Sequence, residues 1–159
     1  MNKIFAWTLW IGVTLAFFCI SYYAPNLLSD QGNKFLANFV NENLLSFLGV
    51  IVTITLGSAA NLHLELNKLQ NITDSDFPDA RNAIKLSAYW LIFILAISSA
   101  LVIVKPMLGD DPKLTAICNS LAISFVLFSI LVLIDLTSAI FGVPASGTLK
   151  KKRTTNSEK

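Results

Sequence analysis

Hydrophobic residues in this sequence are gathered into four long runs separated by short polar segments. The runs cover residues 4–24, 44–60, 86–104 and 114–143, and they are apolar on all sides rather than alternating with polar residues. Each is close to or longer than the roughly 20 helical residues that cross about 30 Å of hydrocarbon. Strands of a membrane barrel would instead be about ten residues long and alternate in polarity. The pattern therefore predicts an all-α fold, an integral membrane four-helix bundle.

Polar and turn-forming residues set the expected ends of these helices. Four helices are predicted, at about residues 4–24, 35–70, 77–104 and 112–142. Asp111 is typical of an N-cap, and Pro112 suits the first helical position, where its missing N–H costs nothing. The sequence therefore divides into a transmembrane domain over residues 1–149 and a basic tail over residues 150–159.

The second helix is predicted to be longer than its apolar run. Residues 35–44 have apolar positions at helical spacing, and they either extend this helix or lie along the membrane surface. Residues 62–72 alternate leucine with polar residues, which usually suggests a strand. A strand that continues a membrane helix would leave its backbone groups unpaired near lipid, so we predict a projecting helix.

Composition agrees with a membrane protein. Hydrophobic residues make up 54% of the 159-residue chain, charged residues only 14%, and the mean hydropathy is +0.63. Soluble chains contain about a quarter charged residues. A cleaved signal peptide is disfavoured for the first run, because it is longer than the usual 7–15 residues and Tyr22 occupies a position that needs a small residue.

Basic residues predict how the chain is threaded. Nine belong to the two tails and the loop between the second and third helices: Lys3, Lys68, Arg81, Lys85, Lys150, Lys151, Lys152, Arg153 and Lys159. The other two loops hold three: Lys34, Lys105 and Lys113. The positive-inside rule therefore places both termini in the cytosol. The expected location is a cell membrane, and a small four-span chain without import signals fits a bacterial inner membrane.

Small and polar residues recur on the second helix at Gly49, Thr53, Gly57 and Asn61, every fourth position. Small residues at this spacing allow two membrane helices to approach closely. We predict a helix-packing face here, although membrane helices are often rich in glycine and serine. The pattern leaves open whether the face packs within the chain or between copies.

The fourth helix carries a narrow polar stripe. Ser120, Ser124, Asp135, Ser138 and Gly142 fall within about 60° on a helical wheel, so the stripe is expected to face protein or water rather than lipid. A charged carboxylate at the centre of a membrane helix costs at least about 3 kcal/mol on insertion scales. Asp135 must therefore be protonated, meet a partner, or lie near the interface.

His63 is the predicted partner of Asp135, because it is the only histidine and lies at a matching depth on the second helix. Such an intramembrane pair could relay protons or lock two helices together through a charge-assisted hydrogen bond. A third interpretation is a hydrated carboxylate near the cytosolic interface. Of the three, the locking contact is the one we predict.

Residue patterns for catalysis are weak in this chain. The two cysteines have no ligand spacing around them, and we expect no metal, no cofactor and no enzymatic activity. The tail residues Lys150, Lys151, Lys152 and Arg153 are more typical of a topology signal or a contact with anionic lipid than of nucleic-acid binding.

Two classes of function follow from these observations. In the first, the protein is a self-assembling, membrane-anchored interaction subunit, and a cytosolic surface around residues 65–85 and the basic tail recruits a protein partner. In the second, several copies form a channel, a pore-forming effector or a small ion-coupled transporter that uses the polar face of the fourth helix. The first class is favoured, because Asp135 is the one acidic residue within the spans that could act on ions.

Overall fold

A computed structural model describes residues 3–73 and 78–142, and over these residues it contains helices and turns but no strand. The helices are α1 (Lys3–Tyr23), α2 (Lys34–Phe39), α3 (Glu42–Thr73), α4 (Pro78–Val104) and α5 (Pro112–Gly142). Four of them, α1, α3, α4 and α5, are long and apolar enough to cross a membrane. The predicted number of helices long and apolar enough to span a membrane is therefore confirmed, as is the all-helical class over the described residues.

The segment expected to form one helix over residues 35–70 is divided in two. The break lies at Val40, whose ψ of 62° is outside the helical region. Asn41 then starts α3, because its side-chain oxygen accepts a hydrogen bond from the Asn43 N–H at 2.9 Å. Asn33 caps α2 in the same way, by accepting from the Leu36 N–H at 3.1 Å. α2 is thus a separate short helix, while α3 continues as a helix to Thr73.

The link between α4 and α5 agrees with the helix ends predicted from Asp111 and Pro112. α4 ends at Val104, a 3₁₀ turn covers Lys105–Leu108, and α5 begins at Pro112. Gly109 has a φ of +64°, a conformation that glycine adopts without steric cost. The Asp111 carboxylate accepts a hydrogen bond from the Lys113 N–H at 2.8 Å and caps α5. These residues hold α4 and α5 as an antiparallel hairpin.

The bundle has two ends, named here by what they hold. The loop end contains the connections 24–41 and 105–111, and the terminal end contains the start of α1, the end of α3 and the end of α5. α5 is the central helix, since it packs against α1, α3 and α4. Of the apolar window of α5, 44% of the residues are buried, against 6% for α1.

Three clusters of buried residues hold the helices together. The middle cluster comprises Val40, Leu44, Leu48, Ile94, Ala122 and Phe128. The terminal-end cluster comprises Ala59, Leu62, Leu66, Ile84 and Leu136. The loop-end cluster comprises Leu28, Leu36 and Ala116. Because α1 packs chiefly against α5, a groove remains between α1 and α4 with α5 as its floor.

Candidate functional site

A buried ionic contact closes the loop end of the bundle. The Lys105 ammonium lies 3.0 Å from the Asp30 carboxylate, and the Lys105 side chain is only 8% exposed. Its nitrogen also donates to the Val40 carbonyl at 3.2 Å. Val40 is the residue at which the helix breaks before α3, so Lys105 binds a carbonyl that α2 and α3 leave free. The contact ties the α4–α5 link to the loop between α1 and α2.

Asn119 extends this contact into α5. Its amide nitrogen donates to the Leu28 carbonyl at 2.7 Å and to the Asp30 carboxylate at 2.9 Å. Asp30 therefore receives hydrogen bonds from both Lys105 and Asn119, which compensate the cost of removing its charge from water. The arrangement stabilises the loop end by holding three segments of chain together.

This network does not follow from the sequence pattern. By sequence alone Lys105 is a loop charge, and Asn119 lies outside the polar stripe of the fourth helix. The available signal was Asn119 itself, an amide inside an apolar run, since polar residues at such positions usually have a partner. Asp30 lies 75 or more residues away in sequence, so nothing in the pattern identifies it as that partner.

The polar stripe predicted on the fourth helix is divided between two environments. Ser120 and Ser124 are buried. The Ser120 hydroxyl lies 2.6 Å from the Ser21 hydroxyl of α1, and the Ser124 carbonyl accepts a hydrogen bond from the Trp10 indole at 3.0 Å. Ser138 is exposed, and its hydroxyl bonds the Ile134 carbonyl of the preceding turn. The N-terminal part of the stripe therefore packs α5 against α1.

Asp135 and His63 are not brought together. Both residues are exposed, Asp135 on α5 beside α1 and α4, and His63 on α3. Among the described side chains, no hydrogen bond or ion pair joins Asp135 to His63 or gives either of them another partner. The locking contact expected between them is not formed in this chain, because α5 turns Asp135 towards α1 and α4 rather than towards α3.

Asp135 instead lines the groove between α1 and α4. The groove has a volume of ≈ 210 Å³ and is lined by Ala6, Trp7, Trp10, Ala83, Leu86, Ser87, Trp90, Phe128, Leu131, Val132 and Asp135. Phe128 lies at the centre of its aromatic part. Its ring centroid is 5.6 Å from Trp7, 5.1 Å from Trp10 and 5.9 Å from Trp90. The groove thus combines an aromatic floor with one carboxylate.

The small-residue face predicted on the second helix lies on the outside of the chain. Thr53, Gly57 and Asn61 are exposed and Gly49 is half-buried. Apart from the adjacent backbone of α3 itself, a methyl group built on Gly49 or Gly57 would meet no described atom within 4 Å. The opposite face of α3, which includes Leu48, is the one that packs inward. Among the described residues, the stripe therefore makes no packing contact with another helix of the chain.

Two further predictions concern the tail and bound metals. The basic residues Lys150, Lys151, Lys152 and Arg153 lie outside the described residues. Across the part of the chain that the structure describes, no group of three His, Cys, Asp or Glu side chains is arranged to hold a metal ion.

Comparison with known proteins gives no relative from which a role could be transferred. No family model, curated protein or solved structure matches this chain. The function has to be inferred from three features of the chain itself: the outward stripe of α3, the terminal end, and the groove beside Asp135.

Proposed function

We propose that this protein is embedded in a membrane through α1, α3, α4 and α5 and acts as a self-assembling subunit that presents its terminal end to a partner. The proposed role is binding rather than catalysis. The observation that carries it is the stripe of small residues on α3, which faces away from the other helices of the chain.

The surface of α3 is suited to a second copy of itself. Gly49 and Gly57 leave open space along the stripe that can serve as a groove, since no described side chain covers them. Val50 and Ile54 stand beside it with 59% and 60% of their surface exposed. Because one face carries both groove and ridge, two copies can pack ridge into groove with each contributing both. Close approach of this kind drives helix association in a bilayer, where lipid removes the hydrophobic drive.

The terminal end supports the second part of the proposal. α3 has 32 residues, or about 48 Å at 1.5 Å per residue, which exceeds the roughly 30 Å of hydrocarbon. Its apolar run ends at Ala60, so the additional length belongs to the terminal end. Arg81 of α4 donates to Asn67 at 2.8 Å and to Gln70 at 2.6 Å, which fastens the two helices there. The ends of α3 and α4 thus form a polar surface that projects from the bundle and is held in place by these hydrogen bonds. Such a surface is suitable for binding a protein partner.

The proposed threading places both termini in the cytosol, with a bacterial inner membrane as the location. Its support is the nine-to-three distribution of basic residues between the two sides. In this orientation the terminal end is cytosolic, so the partner would be a cytosolic protein.

Oligomer size in mild detergent tests the assembly. Gly57→Leu should raise the dissociation constant of the oligomer at least about tenfold, the equivalent of 1.4 kcal/mol, because the new side chain fills the groove. The monomer should unfold as the wild type does, since nothing lies within 4 Å of the new Cβ. Ala96→Leu is the matched control, an exposed small residue on α4 whose enlargement should leave oligomer size unchanged.

Two results would count against the proposal. A monomeric wild type would contradict the proposed self-assembly. Equal oligomer size for wild type and Gly57→Leu would contradict the proposed contact through α3. The channel alternative has less support, since α1 covers Ser120 and Ser124, the N-terminal members of the polar stripe. Ion flux in liposomes that Asp135→Asn abolishes would favour the channel instead.

A further inference from the structure

We propose that the groove between α1 and α4 binds an amphipathic organic ammonium cation, with the charged head between the tryptophan rings and the Asp135 carboxylate. The alkyl part of the ligand would lie along the apolar surface of the neighbouring helices. This site is independent of the α3 contact, because the groove and the small-residue stripe belong to different faces of the bundle.

The aromatic part of the groove is suited to a cation without strongly bound water. Trp7, Trp10 and Trp90 surround Phe128 at centroid distances between 5.1 and 5.9 Å. The faces of such rings attract cations, tryptophan most strongly. Phe128 fills the space among the three tryptophans, so the ammonium head would lie against the outer surface of these rings. Trp7 is 47% exposed and Trp90 is 39% exposed, so both rings retain surface for a ligand. The Trp10 indole is held by its hydrogen bond to the Ser124 carbonyl.

The negative charge in the groove favours a positively charged ligand. Among the described residues that line it, Asp135 alone is charged. Among the side chains that the structure describes, none is a cation that neutralises the Asp135 carboxylate, and in a bilayer an unpaired carboxylate is costly. A monocation supplies the missing charge. A zwitterionic lipid head group would also bring a phosphate, for which the described lining offers no basic side chain.

The groove is open to one side and has room for a small ligand head. Its volume of ≈ 210 Å³ is enough to accept a group such as trimethylammonium. A longer chain has to leave the groove, which suits an amphipathic molecule that arrives from the membrane.

Tryptophan fluorescence provides a local readout for the site. The chain contains three tryptophans, and all three line the groove. Butyltrimethylammonium titrated into the full-length protein in detergent should change the emission saturably. Its neutral isostere, with carbon in place of nitrogen, should give no saturable change. Isothermal titration calorimetry should report the same dissociation constant as the fluorescence.

Two variants test the part played by the carboxylate. Asp135→Asn should weaken binding of butyltrimethylammonium about tenfold or more, because the amide keeps the shape and removes the charge. Its helix content and oligomer size should match the wild type, since Asp135 has no partner to lose among the described residues. Asp111→Asn, an exposed acid at the loop end, should leave binding unchanged.

Several outcomes would overturn the site. Equal binding by wild type and Asp135→Asn would show that the carboxylate does not select the ligand. Saturable binding of the neutral isostere with the same affinity would reduce the groove to an apolar pocket. If butylphosphocholine displaced the cation at equal concentration, the occupant would be a zwitterionic lipid head group. Failure of the Gly57→Leu experiment alone would leave the site unaffected.

Discussion

Lys105 carries its charge at the end of an apolar helix, and its side chain turns inward rather than towards solvent. Burying an ammonium group costs several kcal/mol unless partners compensate it. Asp30 and the Val40 carbonyl compensate it here, at 3.0 and 3.2 Å. Asp135 is the opposite case, a carboxylate for which the described chain supplies no partner. The charge of Lys105 therefore stabilises the fold, whereas the charge of Asp135 is available to a ligand.

Replacement of Lys105 should therefore destabilise the bundle. Lys105→Met keeps most of the side-chain volume but removes the positive charge that is paired with the Asp30 carboxylate. We therefore expect the free energy of unfolding to fall by about 2–3 kcal/mol. The loss stays below that of a fully buried pair because the Asp30 side chain is 32% exposed and can regain water. Chemical unfolding in detergent, followed by circular dichroism, measures it.

Two companion variants make this result specific. Lys113→Met removes an exposed lysine at the same end, which lies 5.8 Å over the Tyr22 ring, and should cost less than about 1 kcal/mol. Adding Asp30→Asn to Lys105→Met should recover part of the loss, because no unpaired carboxylate then remains. Additive costs in the double variant would contradict a direct ion pair.

At the scale of the elements, α5 is central because small residues on one side let α1 come close. Ala116 and Ser120 are fully buried at this contact. The Ser21 hydroxyl donates to the Ala116 carbonyl at 3.0 Å and lies 2.6 Å from the Ser120 hydroxyl. Hydroxyl contacts at these distances require that the two helices approach more closely than leucine side chains would allow.

Enlarging this contact should separate α1 from the bundle. Ser120→Leu is expected to lower the free energy of unfolding by about 2–3 kcal/mol, through overpacking and the loss of the hydrogen bond to Ser21. Ser138→Leu is the same change further along the same predicted stripe, at an exposed position, and should be nearly neutral. Thermal unfolding of both variants tests this, and equal effects would mean that burial at Ser120 does not decide the outcome.

For the whole molecule, the four long helices alternate in direction, so the two ends of the bundle lie on opposite sides of any membrane that it spans. The loop end holds Lys34, Lys105 and Lys113, and the other nine basic residues belong to the terminal end or to the tails. Pairing with Asp30 further reduces the free charge of the loop end. Basic residues are therefore fewer at the loop end of the bundle than at the terminal end and the tails.

Reporter fusions should establish the threading. An enzyme that is active only in the cytosol should work when fused after Lys159, and one that is active only outside should work when inserted near Asp111. Each reporter at the other site serves as the control. Activity of the cytosolic reporter at Asp111 would reverse the proposed orientation.

The number of long helices and most of their ends follow from the amino-acid pattern alone. Both are local properties: an apolar run long enough to cross a bilayer remains helical because its backbone groups must be satisfied within the segment. Asp111 and Pro112 set the start of α5 through contacts with residues two to four positions away. The break at Val40 was less evident, because the apolar spacing of residues 35–44 continues across it.

The inward face of each helix, by contrast, depends on how the helices pack against one another. When a helix is apolar on all sides, its sequence does not indicate which side faces the other helices. The sequence therefore placed Gly57 and Asp135 on polar or small-residue stripes without showing that the first faces outward and the second lines a groove. The pairing of Lys105 with Asp30 joins residues 75 positions apart, and it depends on how α4, α5 and the loop after α1 are stacked. Local chemistry specifies the helices, but the contacts between helices are fixed only when all four are packed.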